Sequence, residues 1–241
     1  MELTSDTTVI WSWEPVNLNL TNIMTWLVMA ILVLLAWLAT HRLKLNPPFN
    51  RWQNIFEAIV TMIRNHIRDI IGYDVNFYLP FVGTLFLFIS MSNLLIIVPG
   101  YRPPTGSLST TVALALWVFI SVPLFGIAAI GVKGYLKHYI EPSVIMLPLH
   151  VMSELTRTLT LAVRLFGSIM SESMIAAALL SVVPFFVPVV TKAFGLLIGQ
   201  IQAYIFAVLA AIYIASASSP REHRTRRAAD AEEPAAKNAA N

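Results

Sequence analysis

One stretch of the sequence carries charged and polar side chains inside an otherwise apolar region. Between Leu149 and Leu180 these side chains recur mostly at spacings of three or four residues. They are His150, Ser153, Glu154, Arg157, Thr160, Arg164, Ser168, Ser171 and Glu172. On a helix these spacings place them along one broad stripe. Ionisable groups on such a stripe within a membrane indicate an ion or proton pathway.

Arg164 is the member of the stripe whose charge most needs an explanation. An ionised side chain near the centre of a bilayer costs at least about 3 kcal/mol. The neighbours from Leu161 to Phe166 are apolar, and no acidic residue lies three or four positions from Arg164. We therefore expect the counter-charge of this arginine to come from elsewhere, such as another polypeptide.

Two other members of the stripe allow more than one interpretation. Glu154 and Arg157 lie three residues apart, so they either line the pathway or form an intrahelical ion pair of little net stability. His150 either relays protons near neutral pH or is a solvated, hydrogen-bonded side chain. The sequence leaves these alternatives open.

The composition predicts that the stripe lies in a membrane. Of the 241 residues, 57% are hydrophobic and 12% are charged, and the mean hydropathy is +0.70. Soluble domains carry about a quarter charged residues, so the composition excludes an ordinary soluble enzyme. The net charge of +3 is too weak to indicate nucleic-acid binding. We expect a lipid bilayer as the surroundings, and neither a metal nor a cofactor.

Five apolar segments are long enough to cross about 30 Å of hydrocarbon. They lie at about residues 23–40, 77–99, 111–132, 149–180 and 186–217. The predicted fold class is therefore an all-α integral membrane protein with five membrane helices. The fourth helix would be about 48 Å long, too long to stand upright, and we expect the last two helices to be strongly tilted.

The remaining segments are amphipathic or polar. From residue 51 to 72 apolar positions recur at helical spacing, which predicts an amphipathic helix on the membrane surface or against another subunit. We expect residues 1–22 to lie on the outer side. Residues 220–241 follow the membrane domain of residues 23–219, have no periodicity, and predict a disordered cytoplasmic tail.

Basic residues orient the chain in the membrane. They cluster after the first, third and fifth predicted helices, whereas the loop after the second holds only Arg102. The positive-inside rule then places the N-terminus outside and the C-terminus in the cytoplasm.

Three stretches of the sequence resemble one protein family. Residues 162–168, Ala-Val-Arg-Leu-Phe-Gly-Ser, closely resemble the core motif of subunit a of the F-type ATP synthase. Residues 93–116 are similar to the connection between the family's second and third helices, and residues 200–206 to its last helix. The stretches occur in the family's order, and the resemblance covers about residues 20 to 218.

The resemblance implies a non-catalytic stator subunit in a bacterial inner membrane. Arg164 matches the family's arginine that faces the rotating c-ring, and Gln202 matches a glutamine near it. Two aqueous half-channels would carry H⁺ or Na⁺ to and from the ring carboxylates. The implied partners are the c-ring oligomer, the peripheral-stalk b subunits and the remainder of the F-type ATP synthase.

The chain departs from the family pattern on both sides of the expected outer channel. The position nine residues after the arginine, commonly Glu or His, is Ser173 here, and the partner position on the last helix is Gly195. We expect Glu172 to serve as the channel carboxylate instead. The ion-path candidates are Gln202, Arg157, Glu172, His150, Glu154, Ser168, Ser171 and Ser173.

The alternative is a stand-alone ion-coupled secondary transporter. In that case Arg164 would bind an anionic substrate, while Glu154 and Glu172 would couple protons. No internal repeat is visible in the sequence, which disfavours a transporter built from inverted halves. Such a transporter would purify alone, whereas a stator subunit would purify with its ring.

Overall fold

The computed structural model describes residues 9–13, 16–41, 51–71, 75–98, 101, 103–140, 146–182 and 187–218. The expected cytoplasmic tail and most of the basic loop residues lie outside these ranges. Near the N-terminus, strands β1 (Val9–Trp13) and β2 (Val16–Asn19) pair as an antiparallel hairpin. The sequence does not predict this hairpin, because strands of five and four residues give little periodic signal.

The rest of the described chain is helical. The α-helices are α1 (Leu20–His41), α2 (Arg51–Ile71), α3 (Val75–Leu94), α4 (Leu108–Ile140), α5 (Met146–Val182) and α6 (Val187–Ser218). Two 3₁₀ turns, Leu95–Ile97 and Pro104–Gly106, connect α3 to α4. Five of these helices, all except α2, are apolar enough to cross a membrane. The predicted class, five membrane helices and one amphipathic helix, is confirmed.

Helix α6 is the centre of the bundle, and it packs against α2, α3, α4 and α5. We call the buried apolar cluster shared by α3, α4, α5 and α6 the main core. Its members are Leu85, Ile89, Ala115, Val118, Leu161, Ala162, Leu165, Ile169, Ala203, Phe206 and Ala210. Helix α5, with 37 residues, is about 55 Å long. It therefore carries polar groups well to either side of this core.

The amphipathic helix α2 has a partner within its own chain. Ile67 is buried in a second cluster with Tyr78 and Val82 of α3. The His66 ring meets the Tyr204 ring of α6 edge to face, with 5.3 Å between centroids. Part of the apolar face stays open, since Met62 is 55% exposed. Helix α2 thus packs against both α3 and α6.

Buried amides join α3 to α6. Asn93 donates from Nδ2 to the Gly199 carbonyl oxygen at 2.8 Å. A Cβ at Gly199 would lie 2.9 Å from the Asn93 side chain, so this close contact needs glycine. Ser90 Oγ donates to Gln200 Oε1, and Gln200 Nε2 donates back to the Ser90 carbonyl oxygen. These hydrogen bonds fix the position of α6 along its axis relative to α3.

The connection from α3 to α4 folds into the bundle. Burial raises the pKa of the Tyr101 hydroxyl, so this group stays protonated at neutral pH. Thr105 is fully buried and donates to Asn93 Oδ1 at 3.4 Å. The connection is therefore packed against the same amide that joins α3 to α6.

Helix α4 contains a sharp bend. Gly131 has φ 75° and ψ 160°, a region of backbone space open essentially to glycine alone. After the bend the Tyr135 ring lies against Gly126, where a Cβ would be 2.6 Å from the ring. The two glycines together let the end of α4 turn back on itself.

Candidate functional site

The stripe of α5 places Arg164 on the outer surface of the bundle. Its side chain is exposed, and together with Thr156, Leu159, Thr160 and Val163 it lines a shallow, open depression. Leu159 is 56% exposed and Val163 is 63% exposed. The described residues offer Arg164 no acidic partner within ion-pair distance. A fixed positive charge therefore sits on an apolar outer face.

Two contacts determine how α5 and α6 run past each other. Glu172 of α5 lies against Gly195 of α6, and the Arg157 guanidinium carbon lies 5.3 Å from the centre of the Tyr213 ring. The two helices are therefore antiparallel along this region. Counting between the contacts places Arg164 level with Tyr204, about 3 Å along α6 from Gln202.

Gln202 carries an amide donor without a partner. The side chain is 7% exposed, and its Nε2 atom is buried and makes no hydrogen bond to the residues that the structure describes. A buried hydrogen-bond donor that lacks an acceptor costs about 1–3 kcal/mol of folding free energy. This Nε2 group is thus positioned to donate a hydrogen bond to a water molecule or another acceptor at nearly the depth of Arg164.

Glu172 fills the space left by a glycine. A Cβ on Gly195 would lie 1.6 Å from Glu172 Oε1 and 2.2 Å from the carboxyl carbon. The carboxylate therefore packs directly on the α6 backbone, at the position that the sequence analysis paired with the outer channel. The described part of the chain shows no hydrogen bond or ion pair to this carboxylate.

A polar cavity of about 200 Å³ lies at the opposite end of the stripe. It is lined by Val118, Phe119, Val122, His150, Ser153, Glu154, Arg157, Thr158, Tyr213, Ser216 and Ala217. Arg157 rests on Tyr213 in a cation–π contact. The aromatic ring of α6 is therefore one partner of this guanidinium.

The serines of the stripe do not gather at one point. Ser168 Oγ donates to the Leu165 carbonyl oxygen at 3.0 Å, and Ser173 Oγ donates to that of Met170 at 2.8 Å. Ser171 is exposed. These hydroxyls lie near Arg164 and Glu172 along the helix, whereas His150, Glu154 and Arg157 are brought together in the cavity.

Tyr213 is a cavity residue that the sequence did not single out, whereas Asn93 was considered as a helix-packing residue and joins α3 to α6. Tyr213 holds Arg157 and lines the cavity, and Asn93 is fully buried against Gly199. An aromatic residue in an apolar helix carries no periodic signal of such a contact. The polar character of Asn93 in a membrane helix was the only signal available, and it fitted helix packing equally well.

Most of the chain matches one known protein family. A family described as the ATP synthase A chain matches residues 22–215. The chain belongs to this family. Its members include the non-catalytic subunit a of the F0 sector, so the expected resemblance and the absence of catalysis by the subunit alone are both confirmed.

Individual members of the subunit a family are similar along nearly their full length. The chain is 52% identical over 225 residues to ATP synthase subunit a 1 of Crocosphaera subtropica, covering 93% of this chain and 98% of that protein. It is 53% identical over 225 residues to ATP synthase subunit a 1 of Chlorobaculum parvum, covering 93% and 100%. It is 49% identical over 222 residues to ATP synthase subunit a of Albidiferax ferrireducens, covering 92% and 96%.

Membership of the subunit a family establishes the general role of the chain. It is a multi-pass membrane subunit of the proton-translocating sector of an ATP synthase, and the rest of that complex is its partner. The five apolar helices agree with this role.

Proposed function

We propose that Arg164 faces the c-ring and separates two aqueous half-channels in this subunit. The observation that carries the proposal is the position of the arginine, exposed on an apolar face between a carboxylate at one end and a polar cavity at the other. A permanent charge exposed at membrane depth requires a counter-charge. The ring carboxylates are groups that would supply it.

The transfer step follows from the cost of charge in lipid. A ring carboxylate that faces lipid must be neutral, holding a proton or another ion, because a bare charge is too costly there. Opposite Arg164 its ionised form is stabilised, since the guanidinium remains protonated. The carboxylate then releases its ion on one side of the arginine and takes up another on the other side.

The two polar regions are the proposed channel ends. With the C-terminus in the cytoplasm, the cavity near Ser216 opens on the inner side, so His150, Glu154 and Arg157 line the inner half-channel. Glu172 at Gly195, with Ser171 and Ser173, lines the outer one. Each charge that crosses about 200 mV supplies about 4–5 kcal/mol, which drives rotation of the ring.

The transporter alternative requires an anion site around Arg164. A transporter binds its substrate within the bundle, whereas Arg164 lies on the exposed surface and the cavity is lined by Arg157 instead. The position of Arg164 therefore favours the stator subunit. The peripheral-stalk b subunits and a bacterial inner membrane, with the N-terminus outside, complete the proposal.

Retention of the c-ring tests the proposed interface. Val163→Trp places a large side chain on the face of Arg164, and we expect the purified complex to lose most of its c subunits because the ring is pushed away. Leu124→Trp is the matched control on α4, since Leu124 is 60% exposed and Val163 is 63% exposed. Quantifying c subunits after detergent extraction measures the effect. Loss of the ring in the control alone would contradict the proposed face.

A further inference from the structure

A buried apolar layer lies between the two polar regions of the chain. Glu172 lies on one side of it and the cavity of Arg157 and Tyr213 lies on the other, while Gln202 borders the layer on α6 directly before Ala203. The layer is the main core, whose eleven members are each 8% exposed or less. Four helices contribute to it, so it spans the packing interface of α3, α4, α5 and α6 between the two regions.

The dimensions of the layer can be read along the helices. On α5 it runs from Leu161 to Ile169, which is about 12 Å of helix. On α6 it runs from Ala203 to Ala210, about 10 Å. Val118 belongs both to the core and to the cavity wall, so the cavity ends directly on the apolar layer.

We propose that this layer is an apolar plug that seals the two half-channels from each other inside the subunit. The proposal rests on the proposed function, because only two ion paths of opposite access need a seal. Close-packed apolar side chains exclude both water and ions. Phe206 and Leu165 are fully buried at the centre of the plug.

The plug and Arg164 block different routes by which ions could leak between the half-channels. Arg164 lies on the outer surface, where it blocks ions that move along the ring. It cannot block a route through the helix bundle, from the cavity past Phe206 to Glu172. The plug closes that second route, and it does so without any charged residue.

The test uses the complete complex in vesicles, with glutamine in place of every ring carboxylate, so that the ring carries no ions. We expect Phe206→Ala to raise passive proton flux by about tenfold or more, equivalent to a barrier lower by about 1.4 kcal/mol. An internal pH dye measures the flux under a potassium diffusion potential.

Two matched truncations control for general loosening of the fold. Phe194→Ala removes an exposed ring, 62% accessible, from the same helix. Ile67→Ala opens the second cluster, where the residue is 2% exposed but separates no polar regions. Both should keep the parental flux. A rise in Ile67→Ala as large as that in Phe206→Ala would overturn the proposal.

A second plug variant covers the case in which Phe206→Ala fails to assemble. Ala203→Ser adds one hydroxyl to a fully buried position and should also raise the flux above the parental level. Parental flux in an assembled plug variant, whether Phe206→Ala or Ala203→Ser, would show that the layer is ordinary core. This outcome is distinct from failure of the proposed function, which would appear as intact ATP synthesis in Arg164→Ala with an unmodified ring.

Discussion

Replacing Arg164 by alanine should lower ATP synthesis at least about 100-fold in reconstituted vesicles and should create a passive ion leak. The Arg164 guanidinium supplies a positive charge on the exposed face of α5. Its loss leaves a ring carboxylate without a counter-charge in apolar surroundings. A penalty of about 3 kcal/mol for such a charge corresponds to about 100-fold in rate. The leak follows because ring carboxylates that stay protonated can then pass between the half-channels.

Two further arginine variants sharpen this result. Arg164→Lys should lose most of the activity as well, because an ammonium group in a low dielectric can release its proton whereas a guanidinium does not. Arg68→Ala removes an exposed arginine from α2 and should leave synthesis at the parental rate. Following ion flux and ATP formation in the same sample separates lost coupling from lost assembly. Parental synthesis by Arg164→Ala would contradict the role of this residue.

Replacing Glu172 by glutamine should slow ATP synthesis about tenfold while the complex still assembles. The carboxylate packs against Gly195 at the mouth of the proposed outer half-channel. An amide of the same size keeps the packing but cannot bind and release a proton. The prediction is checked by measuring ATP synthesis rates from about pH 6 to about pH 8.5. This range of about 2.5 units covers the pH values at which proton-carrying side chains near neutral pH gain and lose their protons. Unchanged synthesis rates across that range would contradict the proposed role of Glu172.

Gly195 tests whether the position of the carboxylate matters. Gly195→Ala introduces a Cβ that would lie 1.6 Å from Glu172 Oε1, so the flexible end of Glu172 must move. We expect a loss of synthesis with Glu172 present and no further loss in a Glu172→Ala background, the pattern of two coupled positions. Gly83→Ala is the control glycine, because the nearest atom to a Cβ there is 4.0 Å away. Additive losses of synthesis in the double variant would contradict the proposed coupling between Gly195 and Glu172.

The local features of this fold were predictable from the sequence. A polar stripe at spacings of three and four residues in an apolar segment identifies α5 and its polar face without any knowledge of the other helices. The amphipathic pattern of α2 identifies a helix with one apolar face in the same way. Both predictions depend only on residues that lie within one helix.

Contacts between helices were harder to predict. The sequence left Arg157 with Glu154 as a possible partner three residues away, but Tyr213, which follows Arg157 by 56 positions, holds its guanidinium. The position of Gly195 opposite the outer channel came from the resemblance to the family and not from spacing. Gly131 bends α4 whereas Gly126 does not, and no local pattern distinguishes the two glycines.

The central claim is that the face of Arg164 lies against the c-ring, and cysteine cross-linking tests it most directly. The chain contains no cysteine, so a single cysteine can be placed at Leu159 or Val163, with another near the ring carboxylate. We expect oxidation to link both positions to the ring, whereas a cysteine at Leu124 on α4 stays unlinked. Cross-links from Leu124 and none from Leu159 or Val163 would contradict the account.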